Sequence, residues 1–433
     1  MSGHVVVVGA GIIGLSSAWY LREAGFEVTV VERDQEERFT SSFGNAGMIV
    51  PSHVVPLSAP GVVWQGIRWM SDPMSPFYIK PRLSPGLLAW GWRFWRSGTE
   101  EHVRRSAPLL LELNERSREL YRELIPRLGE EVAFSERGIL MLCNTAQGLN
   151  QEAQTAEFAA QFGMKTRVLG ADEVRQLEPD IELAVEGAVH YPGDAFFDPG
   201  RLMRALQGRL VQMGVRFRFG SEVTGLSRNR GQVDGVLVRP VNTADEQPAP
   251  AQPLEAGQVV LAAGSWSAQL GRDAGVRLML QPGKGYSFTL ERPSQRLRTA
   301  ALLSEARIAV TPMGQRLRIG GTMELAGFDA SHNERRLEGI RRGALRYFPG
   351  LDRDELLTPE TWYGYRPCSP DGLPYLGRSQ VAPQVIVATG HAMMGMSLGP
   401  VTGQLVAGLA TGEELPVDIG ALSPARHGQA GRL

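Results

Sequence analysis

Cysteine is scarce in this 433-residue chain. The two present, Cys143 and Cys368, lie far apart and show no metal-ligand spacing. A disulfide-built secreted scaffold is therefore excluded, no metal site is expected, and a reducing compartment is. Charge of one sign is also lacking: 45 Lys and Arg stand against 46 Asp and Glu, for a net charge of -1. Nothing there matches the footprint of a nucleic-acid binder or of a protein that holds a strongly charged polymer. Long hydrophobic runs are missing too. The one candidate, residues 5–21, is shorter than the roughly 20 residues a membrane helix needs. It has only His4 and no basic flank before it, and three glycines interrupt it, so neither a signal segment nor a membrane span is expected. The expected location is cytoplasmic, with peripheral contact at the inner face of the membrane left open.

What remains is ordinary for a soluble protein, with 43% hydrophobic and 21% charged residues. The length fits two domains that share a cleft. Residues 5–8 form a β-branched run, a helical pattern follows to Ala24, Gly25 stops it, and residues 28–31 form a second strand. Residues 199–213 read as a helix, and 215–219, 259–262 and 385–388 as strands. Together these predict a Rossmann-like parallel α/β sheet assembled from distant pieces of chain, residues 1–60, 186–276 and 361–433. The blocks 61–185 and 277–360 form a second, α+β domain. Alternating runs at 287–290, 308–310 and 316–320 give it a mainly antiparallel sheet. Residues 242–253, between strand-like runs at 233–238 and 258–262, are expected to be an exposed loop. The tail beyond Ser423 is expected to fray.

Gly9, Gly11 and Gly14 follow directly on the first strand and open a helix, with Ile12 and Ile13 between the last two. Gly9 permits the tight turn, Gly11 lets a pyrophosphate approach the backbone, and Gly14 lets helix and strand pack closely. The helix N-terminus offers unpaired N–H groups to phosphates. Glu32 ends the second strand, where its carboxylate can accept both ribose hydroxyls, and Arg33 follows it. The loop Ser41, Ser42, Phe43, Gly44, Asn45, Ala46, Gly47 supplies hydroxyls and accessible backbone N–H groups for a phosphate and the close approach of a flat ring. A third segment runs from Gly390 and His391 through Gly395, Met396 and Ser397 to Pro400, which suits a first helical turn. The helix beyond it would aim its N-terminus at negative charge on a ligand.

These motifs, with Val260 to Trp266 (Val-Leu-Ala-Ala-Gly-Ser-Trp) and Gly364 to Gly372 (Gly-Tyr-Arg-Pro-Cys-Ser-Pro-Asp-Gly), resemble the superfamily of D-amino acid oxidase and glycine oxidase. Ser58 to Gly61, the Trp69 to Pro76 stretch and Pro282 to Ser287 bring the chain nearer to the bacterial D-amino acid dehydrogenases. The resemblance covers nearly the whole chain. It implies FAD, held by Ala263, Gly264 and Trp266 together with the glycine motifs, and a backbone contact from Val223 to the adenine. Related sarcosine oxidases bind flavin covalently through a cysteine, and the matching position here is Gly364, so noncovalent FAD is implied.

An amino acid presents a carboxylate, which an Arg fork binds in bidentate fashion. Arg366 stands where glycine oxidase-like enzymes place that arginine; its other reading is a structural tie. Tyr286 is a second candidate, against a core tyrosine, and His391 a third, as a flavin-side hydrogen-bonding group against a packing histidine. His53 has a weaker claim. A second carboxylate arginine of glycine oxidase is replaced by Met393, which points to a more apolar pocket. The expected reaction is oxidative deamination of a small amino acid, of D configuration by the resemblance. A hydride leaves the α-carbon for flavin, and the resulting imine hydrolyses to a 2-oxo acid and ammonia. The expected electron acceptor is a quinone or redox protein. An oxidase using dioxygen, a secondary-amine substrate such as proline, hydroxyproline or sarcosine, and a flavin-binding relay subunit stay open. Five tryptophans, Trp64, Trp69, Trp90, Trp92 and Trp95, cluster with Arg68, Arg82, Arg93 and Arg96. They suit either a membrane surface or, as expected, the core and rim of the second domain.

Overall fold

A computed structural model describes residues 3–36, 40–70, 72–241 and 249–428. The apolar run that opens the chain becomes the strand His4–Val8. It sits inside a six-stranded sheet between Glu27–Val31 and Gln258–Leu261. Val385–Thr389 extends the sheet on the latter side and Arg216–Arg218 on the former, all in parallel, and Tyr375–Arg378 closes one edge antiparallel. These central strands are apolar almost throughout because both faces are covered, the usual condition of parallel strands. Val5 and Val7 face the helices Ile12–Glu23, Glu100–Leu124, Pro199–Gln212 and Gly395–Thr411, whereas Val6 and Val8 face a three-stranded antiparallel sheet. Its strands are Ser221–Asn229, Gln232–Pro240 and Gln252–Glu255.

The second sheet has eight strands in the order Trp362–Cys368, Gln281–Leu290, Arg316–Leu325, Ile308–Met313, Ala300–Leu303, Ile139–Cys143, Gly187–Tyr191 and Arg167–Gly170, with Phe77–Ile79 added alongside Arg316–Leu325. All of these pairs are antiparallel except the two made by Ala300–Leu303 with Ile139–Cys143 and by Phe77–Ile79. The helix Glu334–Tyr347 covers one face through Leu337, Ile340, Ala344 and Tyr347. Gly187–Tyr191 and Trp362–Cys368 thus belong to this second sheet, across the boundaries drawn from sequence at 186 and 361. Cys143 and Cys368 are both free and buried.

Three local expectations need correction. Pro400 is not in a first turn, because its helix already starts at Gly395. Proline has no N–H to give the carbonyl of Met396 one turn back, and the Tyr121 hydroxyl donates to that carbonyl instead, at 2.6 Å. Of the expected loop, residues 242–248 lie outside the described residues, and Gln252–Glu255 is a strand paired with Gln232–Pro240. The tail to residue 428 is tied down. Arg426 donates to both oxygens of Asp371, at 2.7 and 3.0 Å, and lies over the Tyr375 ring.

Candidate functional site

One cavity of about 2000 Å³ runs between the two sheets. That exceeds the roughly 300–1,000 Å³ of a single small-ligand pocket, so a dinucleotide and a substrate can share it. The turn after His4–Val8 forms one end. Gly9 has φ +102°, which disfavours a side chain, and a Cβ on Gly14 would lie 1.8 Å from the Gly9 carbonyl oxygen. Gly9, Gly11, Ile12 and Ile13 line the cavity, and Gly14 sits behind them as packing. Gly11 caps the helix Ile12–Glu23 without a side-chain bond, and no acid sits in the first turn. The helix Gly395–Thr411 also starts without a side-chain cap, and Gly395 and Met396 border the same cavity. Close approach at Gly399 and Gly403, whose absent side chains make room for Ile12 and the Ser16 backbone, holds these two helices together. Two N-termini whose N-cap residues make no side-chain bond therefore open on one cavity, each favouring negative charge by about 0.3–1 kcal/mol.

The Glu32 carboxylate accepts from the backbone N–H of Ala10 at 2.7 Å and of Asp34 at 3.0 Å. These bonds fix its direction at the cavity wall and leave lone pairs for hydroxyl donors. Ser42 Oγ accepts from the Ile12 N–H at 3.0 Å, keeping its own proton to donate. Ser41 Oγ donates to the Tyr365 carbonyl and Asn45 Oδ1 accepts from Gly47 N–H, so the loop from Ser41 to Gly47 is set by its own side chains. Gly44 and Ala46 line the cavity, and a Cβ on Gly44 would strike the Trp362 ring at 2.0 Å. Val223, at a register slip of its strand, and Ala263, Gly264 and Trp266 border it as well. The Arg33 guanidinium lies over the Trp266 ring, 4.3 Å from its centroid, and pairs with Asp34. The glycine cradle, the two helix ends and the fixed Glu32 carboxylate fit FAD.

Some expected site residues are not brought to the cavity. Ser397 is buried and ties the N–H of Val50 to Asn114. Gly47 and Gly390 are turn glycines, at φ +72° and +81°, with backbone or side chains where a Cβ would go. Tyr286 borders the cavity, but its hydroxyl donates to Glu324 at 2.9 Å and accepts from the Asn333 N–H. Burial and the Glu324 carboxylate both push its pKa upward. His391 is buried, with Nε2 3.0 Å from Thr402 Oγ1, and burial pulls its pKa down to about 3, so the ring is neutral. Met393 is half exposed at the cavity rim. The tryptophan cluster divides between core and surface: Trp90 is buried, whereas Trp64, Trp92 and Trp95 are 72%, 58% and 54% exposed.

Arg366 does reach the cavity, and the sheet makes room for it. It pairs in register with Gly283, and a Cβ on Gly285 would lie 2.0 Å from Arg366 Nη1. The neighbouring strand bulges where Thr322 and Met323 oppose Gly285, and Thr322 takes φ +66°. The bulge presents the Thr322 carbonyl to Arg366 Nη1 at 2.8 Å. Among the described residues no carboxylate pairs with Arg366. Burial lowers its pKa, yet an arginine stays protonated. The cavity thus holds a cation awaiting an anion. Sequence reasoning missed Arg318, which donates to the carbonyls of Phe43 and Asn45, both at 2.8 Å. It props the first cavity loop from the second sheet, and burial pulls its pKa to about 10. Its targets are backbone atoms far off in sequence, a relation no local motif signals.

A family model described as FAD dependent oxidoreductase matches residues 4–409. A protein named D-amino acid dehydrogenase from Methylobacterium radiotolerans is 33% identical over 94% of this chain and 96% of its own. One of the same name from Xanthobacter autotrophicus is 31% identical over 99% and 100%. The glycine oxidase structure from Geobacillus kaustophilus superposes with a TM-score of 0.74 at 24% identity, covering 98% of this chain and 99% of its own.

Proposed function

We propose that this chain, which belongs to the FAD dependent oxidoreductase family, oxidises the Cα–N bond of a D-amino acid to an imine, which water converts to a 2-oxo acid and ammonia. The carrying observation is Arg366, a cavity cation without a carboxylate partner among the described residues. When bound, FAD supplies the two-electron acceptor for the α-hydrogen. Arg366 binds the substrate carboxylate through donors left beyond its Thr322 bond, fixing the α-carbon in place. The aromatic wall of Trp362, Tyr363 and Tyr365 and the thioether of Met393 make the pocket apolar, which suits a side chain larger than that of glycine. The D configuration is supported by the names of the relatives.

Electrons leave for a quinone or a redox protein. This is supported by exposed Trp64, Ile67, Leu88, Trp92 and Trp95 beside Arg68 and Arg96, a surface fit to rest on lipid headgroups. Ile67 and its neighbours Val62 and Gly66 also line the cavity, so such contact would set its edge against the membrane. Among the described residues no helix is long and apolar enough to cross a membrane. The test is anaerobic mixing of the yellow protein with D- and L-amino acids. Bleaching by D-amino acids alone is expected, and bleaching by L-amino acids or proline alone would overturn the substrate assignment.

A further inference from the structure

Three side chains beside the cavity have no part in the reading above. His53 lines the cavity. Its Nδ1 lies 3.1 Å from Ser52 Oγ, and Ser52 Oγ donates to Asp194 Oδ2. The Ser52 N–H donates to the other oxygen, Asp194 Oδ1, at 3.0 Å, which holds the carboxylate in line. The pairing of Met48–Ile49 with Ala195–Phe196 brings the two segments together. His53 Nε2 has no protein partner among the described residues. Arg307, the cation that faces His53, precedes Ile308, which pairs with Gly321 beside the Thr322 that holds Arg366. His53, Arg307, Thr322 and Arg366 all line the one cavity.

Building on the amino acid reading, we propose that His53, Ser52 and Asp194 form a proton relay that takes the ammonium proton of the substrate out of the cavity before its α-hydrogen leaves. The balance is simple. His53 Nε2 takes one proton from the substrate ammonium, Nδ1 passes its proton to Ser52 Oγ, and the Ser52 hydroxyl proton goes to Asp194. The substrate becomes a neutral amine, Asp194 a carboxylic acid, and His53 the other neutral tautomer. Electrons move only in the later oxidation. An amine with a free lone pair can then push the α-hydrogen off as hydride; an ammonium cannot.

The groups around the relay suit this task. Burial first, and Arg307 second, pull the His53 pKa down to about 4, so the ring hands a proton on and does not keep it. Burial pushes Asp194 up to about 7 against its bonds to Ser52 and the nearby Arg118, and the neighbouring Tyr191 is itself raised by burial first, then by Glu152 and Asp194. Asp194 is thus a carboxylate that can accept a proton near neutral pH.

The experiment is anaerobic stopped-flow reduction of the holoenzyme by a reactive amino acid, across pH. The wild-type rate should fall below about pH 7 as Asp194 fills with its own proton. Ser52→Ala cuts only the link. It should slow reduction by about a hundredfold and move the inflection to the higher pH at which the free amine itself ionises. His53→Gly should be slow and partly restored by imidazole. Ser52→Ala with the wild-type rate and pH profile, or His53→Gly that imidazole does not restore, would overturn the relay while leaving the substrate reading intact. A wild-type protein that no amino acid reduces would overturn both.

Discussion

Replacing Arg366 with alanine tests the placement of the substrate. Its guanidinium has five N–H donors, and Nη1 is engaged by the Thr322 carbonyl at 2.8 Å. The remaining donors have no carboxylate partner among the described residues, so a substrate carboxylate takes a two-pronged, charge-assisted contact. Truncating one partner of such a buried pair costs about 2–5 kcal/mol. At 1.36 kcal/mol per decade this is roughly 30-fold to several-thousand-fold in kcat/KM. The Thr322 carbonyl also loses its donor, which should lower stability by about 1 kcal/mol. Arg366→Lys should regain only part of the loss, because an ammonium lacks the fork. Steady-state kinetics and flavin absorbance of the three purified proteins give the comparison. FAD content should be equal in all of them, since the glycine turn and both helix ends are untouched. Near-normal kcat/KM in Arg366→Ala with full FAD would refute the placement. Loss of FAD or of folding would make Arg366 a structural tie instead.

Acid precipitation should release all yellow colour into the supernatant. A Cβ at Gly364 would lie 2.3 Å from the Trp362 ring and 3.0 Å from the Ser41 Cα, which leaves no room for a tethering cysteine; pellet-bound colour would contradict this. Gly14→Ala forces a methyl against the Gly9 carbonyl, so the protein should purify with little or no FAD, as read from its absorbance spectrum. Tyr121→Phe strands the Met396 carbonyl that Pro400 cannot serve. It should cost about 1–3 kcal/mol of stability, measured by urea unfolding, with an unchanged midpoint as the contrary result.

The parts of this molecule most legible from sequence are those whose cause is local. Gly9 and Gly14 announce a turn and a close crossing because no other residue tolerates them there, and the apolar strands around them betray burial on both faces. Pro400 mimics a first-turn residue although its helix starts at Gly395, and Tyr121, contributed by a distant helix, makes a proline tolerable one turn further in. Tyr286 carried a plausible polar tip, but the partner of that tip, Glu324, is set by the register of two strands. Arg318 is the plainest case of an illegible residue. Besides a bond to the Thr289 hydroxyl on the adjoining strand, it holds two backbone carbonyls on a loop about 275 residues away in sequence.

The order of strands in the parallel sheet has a consequence for how the protein is made. On one side His4–Val8 pairs with Glu27–Val31, but its other partner comes from residue 258 and the strand beyond that from residue 385, and the second helix end begins only at Gly395. On the ribosome, the first strand has only Glu27–Val31 beside it until Gln258–Leu261 has emerged. Until then its apolar edge is open, a site for mispairing and for chaperones. A cofactor that contacts both helix ends bridges segments nearly 400 residues apart, so bound FAD should stabilise the folded chain by mass action.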